Sequence, residues 1–390
     1  MKYENYSLTW RGDLTSISSA AQHARRILKP LIDGGAHVKL EPMQTSRPPG
    51  DIEGYWNEQF KARSRIAPGI IHINCGAPDM QSKNPTGGPT VLMTHWETID
   101  VPKHWVAAIN EFPYDEIWVP SRSNAEALEV HTGKPIRILP FCLDKESIKN
   151  TKPMEQIDGI APGTFVFGTT GLWNNRKNLS DLLIAYIGEF SKADRTCMLI
   201  KTGGQNPYDP NERNKIKSMI KEIKKSFEKP DMPDIMLIQD ILTQRTMDSI
   251  IARFDCFVST SRGEGRNVTM LKAAAQGIPC IAIANGATKD IFEDLKAEPG
   301  MSSNTCLAEI PYTIEPVMQM GKYYRASDRW PRPDCGSLMN SMRSAYLRAV
   351  MNQDLEDRKE LARVSRRLFV SNKLPELLDA AQPFAIQRLA

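Results

Sequence analysis

Between Phe257 and Ala282 the chain reads Phe-Val-Ser-Thr-Ser-Arg-Gly-Glu-Gly-Arg-Asn-Val-Thr-Met-Leu-Lys-Ala-Ala-Ala-Gln-Gly-Ile-Pro-Cys-Ile-Ala. A strand ends in a Ser/Gly-rich loop, a helix starts near Asn267 and stops at Gly277, and a second strand follows. The backbone N–H groups of Asn267, Val268 and Thr269 then lie at a helix N-terminus, which favours an anion such as phosphate by about 0.3–1 kcal/mol per charge. Glu264, at the carboxyl end of the strand, stands where a carboxylate can bond sugar hydroxyls. Glu97 follows an earlier predicted strand and sits beside Trp96, and the neighbouring His95 is a candidate for proton transfer. Strand–loop–helix with one glutamate is common, so these residues alone leave a structural role open for Glu264 and a packed one for His95.

Short apolar runs alternate with longer amphipathic ones, the pattern of α/β architecture. Strands are predicted at 6–8, 37–40, 69–73, 90–93, 116–119 and 136–139, with helices at 18–32, 103–110 and 124–130 between them. Gly34-Gly35 stops the first helix, Ser121 reads as the N-cap of the third, and 44–54 reads as a loop. A second series follows, with strands at 164–168, 196–201, 235–238, 256–259 and 279–282 and helices at 178–190, 210–227, 243–254 and 267–276. Within 210–227, Ile216, Met219, Ile220, Ile223 and Phe227 recur at helical spacing. The opposite face, with Lys215, Lys217, Lys221, Lys224 and Lys225, reads as solvated. The polar stretch 145–162 separates the two series. The expected domains are therefore 1–145, a linker at 146–162, and 163–369, with a C-terminal helix in 370–390 crossing back to the first.

A length of 390 residues, 41% hydrophobic and 25% charged, suits an ordinary globular chain of two domains. The net charge of +4 and pI near 8.6 suit phosphorylated ligands without marking a dedicated nucleic-acid binder. Seven cysteines without a C-x-x-C pair argue against a disulfide framework and a zinc site. With no signal-peptide pattern in the opening residues and no apolar run of membrane length, a cytoplasmic protein without stable membrane insertion is expected.

The stretch 257–282 resembles the E-x7-E region of glycosyltransferase family 4, which usually reads S-x-x-E-G-F-G-L-P-x-L-E-A-M-A-x-G-x-P-V-V-A. Glu264-Gly265 match its first Glu-Gly, and Ala273, Ala275, Gly277, Pro279 and Ala282 fall in register. The second glutamate is Lys272 here, and Phe-Gly becomes Arg266-Asn267. Residues 165–179 resemble the family's F-x-x-G-R-x-x-x-R-K-N-L, with Lys177 on the lysine, Arg176 beside it and Leu172 in place of the first arginine. Residues 93–105, 114–121 and 137–140 resemble the W-E-T-x-x-x-P-x-x-W, D-E-V-W-V-P-S and V-x-x-P blocks of one branch, and Trp330-Pro-Arg-Pro-Asp334 echoes a later W-x-x-P. The loop at 9–18 corresponds to the family's glycine loop facing the donor phosphates, with Gly12 alone where the family often has Gly-Gly.

The resemblance implies an α/β fold of GT-B type: two facing Rossmann-like doubly wound domains with an interdomain cleft. It implies a retaining, metal-independent glycosyltransferase whose co-substrate is a nucleotide-sugar donor, with no other cofactor. Glu264 would orient the sugar, while Arg176, Lys177, Gly265, the 267–269 turn and Gly12 would meet the diphosphate. Glu97 and His95 would face the acceptor hydroxyl. The family's second glutamate holds the donor ribose, so Lys272 is expected to contact phosphate or to pair with Glu264. The acceptor stays open among a saccharide, a lipid-linked glycan and a DNA base, the last making this a DNA-modifying enzyme acting on a hydroxymethylated pyrimidine of viral DNA. Lys272 and Leu172 also leave room for a non-catalytic GT-B protein that binds a ligand or partner.

Overall fold

The structure, a computed structural model, describes residues 2–43, 54–78, 88–204, 206, 208–317 and 324–389. The chain divides into two compact units, one made of Met1–Trp96, Asp100–Cys142 and Ser371–Ala390, the other of Glu97–Ile99 and Leu143–Val370.

The first unit contains β1 (Ser7–Gly12), α1 (Ser19–Asp33), β2 (His37–Pro42), α2 (Gly54–Arg63), β3 (Ile71–Cys75), β4 (Thr90–Met93), α3 (Lys103–Glu111), β5 (Glu116–Val119), α4 (Arg122–Glu129) and β6 (Ile136–Ile138). Among the described residues its strands form one parallel sheet in the order β2-β1-β3-β4-β5-β6. Every residue of β4 and β5 is buried, as expected of parallel strands covered on both faces. Glu116 tolerates this because Arg137 Nε bonds it at 2.9 Å and Trp118 Nε1 at 3.1 Å. Helix α1 begins where Ser18 accepts from Ala21 N and buries Ala24, Ile27, Leu28 and Leu31 at helical spacing.

One buried residue of α1 carries a cost. His23 is 1% exposed, its ring stacks on Phe141 at 4.3 Å, and neither ring nitrogen has a hydrogen-bond partner. Burial, helped by the charge of Arg26, pushes its pKa from 6.5 down to about 3. Between those values the unfolded chain binds a proton that the folded chain refuses, so stability falls as pH drops below 6.5, by about 1.4 kcal/mol per unit. His23→Leu should therefore flatten the acid limb of a plot of unfolding free energy against pH. An unchanged slope between pH 6 and 4, to take rough working limits, would contradict this.

The second unit contains α5 (Lys145–Asn150), β7 (Phe165–Leu172), α6 (Leu179–Glu189), β8 (Thr196–Gly203), α7 (Pro210–Ser226), β9 (Asp234–Ile238), α8 (Gln244–Ala252), β10 (Cys256–Ser259), α9 (Val268–Ala275), β11 (Cys280–Ile283), α10 (Ala287–Lys296), β12 (Leu307–Ile310), β13 (Tyr312–Pro316), β14 (Arg329–Pro333), α11 (Cys335–Val350) and α12 (Leu355–Leu368). Its parallel sheet has the order β12-β11-β10-β7-β8-β9. Strands β13 and β14 form a separate antiparallel pair. Phe167, Tyr186, Phe190, Ile216 and Met342 pack α6, α7 and α11 on one face. Phe254, Phe257, Leu271, Phe292 and Leu361 pack α8, α9, α10 and α12 on the other. Each such side chain contributes roughly 1.5–3 kcal/mol. Gly277 ends α9 at φ +74°, where a Cβ would also meet Arg358 O at 2.5 Å. The last helix, α13 (Leu374–Leu389), belongs to the first unit, where Asn372 Nδ2 donates to Ile27 O and Tyr6 to Asp379.

The strands and helices expected from periodicity are present with small shifts at their ends. Helices α2, α5, α10, α11 and α12 and strands β12, β13 and β14 are not among the expected elements, α5 lying in the stretch read as linker. Most of the loop expected at 44–54 lies outside the described residues.

Candidate functional site

In the second unit the strand order reverses between β7 and β10, and the crevice at the carboxyl ends of such strands is where open α/β sheets bind ligands. Two loops meet there. After β7, Asn174 Oδ1 accepts from Lys177 N at 2.9 Å, and Asn178 takes the left-handed conformation at φ 53° to start α6. After β10, Arg262 N donates to Arg176 O at 2.8 Å and Thr260 Oγ1 to Asn178 O at 2.9 Å, tying the loops together. Gly263 has no room for a side chain, because a Cβ there would stand 1.7 Å from Glu97 O. The segment Glu97–Ile99 is held against this loop, and Ile99 N also donates to Arg329 O of β14 at 2.9 Å.

Four charged side chains converge on this frame. Glu264 is ion-paired with Lys177, and with Arg176 Nη1 at 3.5 Å. The same Nη1 donates to Gly263 O at 2.7 Å, while Nη2 lies 3.3 Å from Glu97 Oε1. Tyr324 donates its phenol hydrogen to Glu97 Oε2. Burial alone would raise the Glu264 carboxyl, but Lys177 and Arg176 overcome that and hold it below the ordinary carboxylate range. Burial also opposes the Arg176 charge, and Glu97 and Glu264 restore it. Burial and the Glu97 carboxylate push the Tyr324 phenol up, so it stays a donor.

Next to this cluster Gly265 leads into α9. Asn267 caps the helix, its Oδ1 accepting from Met270 N at 3.3 Å, and the half-buried Val268 and Thr269 form its first turn. Thr269 Oγ1 meets Thr170 Oγ1 at 2.8 Å, which brings the end of β7 to the helix N-terminus. Arg266, standing where the family pattern has Phe, turns away from the loop, pairing with Asp294 at 3.7 Å and lying 5.7 Å over Phe369.

One sequence expectation is corrected here. Lys272 does not pair with Glu264; its Nζ donates to Asp248 Oδ1 on α8 at 2.7 Å. Asp248 is fixed in turn by Gln244 Nε2 at 2.7 Å and Ser147 Oγ at 3.1 Å. Gly12 and His95 belong to the first unit. Gly12 ends β1 at that unit's own strand reversal, and a Cβ on it would approach Cys75 Cβ to 2.8 Å. The His95 ring stands edge-on to Phe141 at 6.3 Å. Asp13, in the same loop as Gly12, folds back onto Ser16 and Ser18. Two participants escaped the sequence reading. Tyr324 lies 227 residues from its partner Glu97. Arg262 binds Glu315 and Asn178 under the ring of Trp330, the tryptophan that had been noted only as a motif echo.

Among the described residues no group of three or more His, Cys, Asp or Glu is arranged to hold a metal ion, and no helix is long and apolar enough to cross a membrane.

Residues 164–308, which carry β7 to β12, match the family model described as "Glycosyl transferases group 1". That match lies within the second unit and covers less than half of the chain. No curated protein matches the chain. Among solved structures, a sucrose-phosphate synthase from Thermosynechococcus elongatus is similar at 14% identity, with 98% of this chain and 99% of that one covered and a TM-score of 0.62. WaaG, a glycosyltransferase involved in lipopolysaccharide biosynthesis, is similar at 12% identity over 97% and 99%, with a TM-score of 0.58. The pneumococcal O-GlcNAc transferase GtfA, solved with UDP and GlcNAc, is 14% identical over 77% of this chain, with a TM-score of 0.50, and this chain spans only 53% of it. The fold is that of GT-B glycosyltransferases, with two parallel-sheet Rossmann-like units.

Proposed function

We propose that the protein is a glycosyltransferase that moves a sugar from a nucleotide-diphosphate donor to an acceptor hydroxyl, with retention of configuration and without a divalent metal. The observation that carries this reading is the meeting of Arg176, Lys177 and Glu264 beside the N-terminus of α9, at the strand reversal of the domain that matches group 1. In the transfer, the bond from the anomeric carbon to the diphosphate oxygen breaks and a bond to the acceptor oxygen forms. The acceptor proton leaves with the diphosphate. Charge developing on the diphosphate is met by Arg176, Lys177 and the Val268 and Thr269 N–H groups, all fixed before the donor arrives. Glu264, kept ionised by its two cations, accepts hydrogen bonds from the sugar hydroxyls. His95 in the first unit is the candidate on the acceptor side.

Lys177→Ala should weaken binding of UDP in calorimetry by roughly 1–3 kcal/mol, the range for hydrogen bonds to charged groups. A dissociation constant unchanged from wild type would remove the diphosphate from this site. Thermal shift across a panel of nucleotide sugars should single out the donor, since a ligand of the folded state stabilises by mass action.

A further inference from the structure

The two cations proposed for the diphosphate are already matched by two carboxylates. Arg176 faces Glu97 and Glu264, and Lys177 is paired with Glu264, so the four side chains sum to zero charge. A guanidinium presents the same donors to a carboxylate as to a phosphate. A diphosphate entering here therefore competes with a resident anion. Which carboxylate gives way follows from their surroundings. The Glu264 side chain is 11% exposed and bonded to both cations, whereas that of Glu97 is 25% exposed and lies 3.3 Å from Arg176. Glu97 is kept in place from the other side by the Tyr324 phenol, and its backbone is packed on Gly263.

We infer that Glu97 is the resting counter-ion of Arg176, held by Tyr324 as a positioning residue, and that the donor diphosphate takes its place. This rests on the donor-site reading above and adds a sign to it: removing an acid should improve the binding of an anion. It also makes Tyr324 a sensor of occupancy, because its acceptor moves when the diphosphate arrives.

The test is calorimetry with UDP, inorganic pyrophosphate and uridine on wild type, Glu97→Gln and Tyr324→Phe. Glu97→Gln should tighten UDP and pyrophosphate by about tenfold and leave uridine unchanged, since only the charged ligand competes with the carboxylate. Tyr324→Phe should tighten both diphosphates by about two- to threefold, in keeping with one lost hydrogen bond. Structural damage would loosen binding, so a gain cannot come from misfolding. If Glu97→Gln does not fold, Tyr324→Phe decides the matter alone. Diphosphate affinity that is unchanged or weaker in the folded variants overturns the counter-ion role. Lys177→Ala in the same series reads the underlying site. A loss there without a gain in Glu97→Gln defeats this inference alone, and no loss there defeats the site as well.

Discussion

Glu264→Gln should lower the stability of the ligand-free protein by about 2–3 kcal/mol and reduce sugar transfer by about a hundredfold. The family resemblance implies that Glu264 orients the sugar; in the structure it is also a partner in a largely buried charge cluster. Its carboxylate is the partner of Lys177 and, with Glu97, of Arg176, and all three side chains are less than one-fifth exposed. Removing one member of a buried pair costs roughly 3–5 kcal/mol because the remaining charge is stranded, and the partial exposure here reduces that figure. Glutamine keeps the shape and an acceptor oxygen but loses the charge. The stability loss should therefore shrink when pyrophosphate is added, because the ligand supplies the missing negative charge. The pH dependence has a defined sign. The folded-state pKa is held below its ordinary 4.5, so the stabilisation is present above that value and is lost as pH falls through the lowered one. Denaturant unfolding of both proteins at neutral pH, with and without pyrophosphate, checks the claim. Equal midpoints without ligand would mean that the cluster contributes nothing to the fold, and undiminished transfer would remove Glu264 from the sugar.

How far the sequence reveals this fold depends on how each element declares itself. Strands such as Thr90–Met93 and Cys256–Ser259 are continuous apolar runs ending in turn residues, and they lie where expected. Helix α2 buries only Trp56 and so has no apolar stripe to read, while α5 has six residues, too few for a period. The β13–β14 pair is hidden by Pro316, Pro331 and Pro333, which lower any strand reading from sequence. The loops that bring Arg176, Lys177 and Glu264 together were legible because each follows a recognisable strand. Glu97 was read as a strand-end residue, but its grouping with Tyr324 and Arg176 is set by tertiary packing of segments far apart in sequence. Lys272 was placed at the donor by its motif position alone, and that position says nothing of the neighbouring helix α8 and its carboxylate, Asp248.

That carboxylate decides what substitution of Lys272 should do. Lys272→Glu writes the family's second glutamate back into the E-x7-E pattern, and the sequence alone leaves a gain, a loss or no change in donor binding open. In the structure the new carboxylate would face Asp248, whose Oδ1 lies 2.7 Å from the present Nζ and whose side chain is 10% exposed. Two carboxylates at that depth cannot both stay ionised without penalty, and the lost pair adds to the repulsion. Lys272→Glu is expected to destabilise the protein by about 3–4 kcal/mol, more than Lys272→Met, which removes the charge but keeps the stem. Part of the Lys272→Glu loss should be relieved below about pH 5, where one of the two acids can take a proton. The reciprocal variant Lys272→Glu/Asp248→Lys restores the pair in reverse and should recover most of the loss, so a double-mutant cycle should return a coupling of roughly 1–3 kcal/mol. A coupling near zero, or a single variant as stable as wild type, would place Lys272 outside any structural pair. Nucleotide affinity measured in the folded double variant then separates the two roles. An unchanged value assigns Lys272 to the α8–α9 contact, and a large change returns it to the donor.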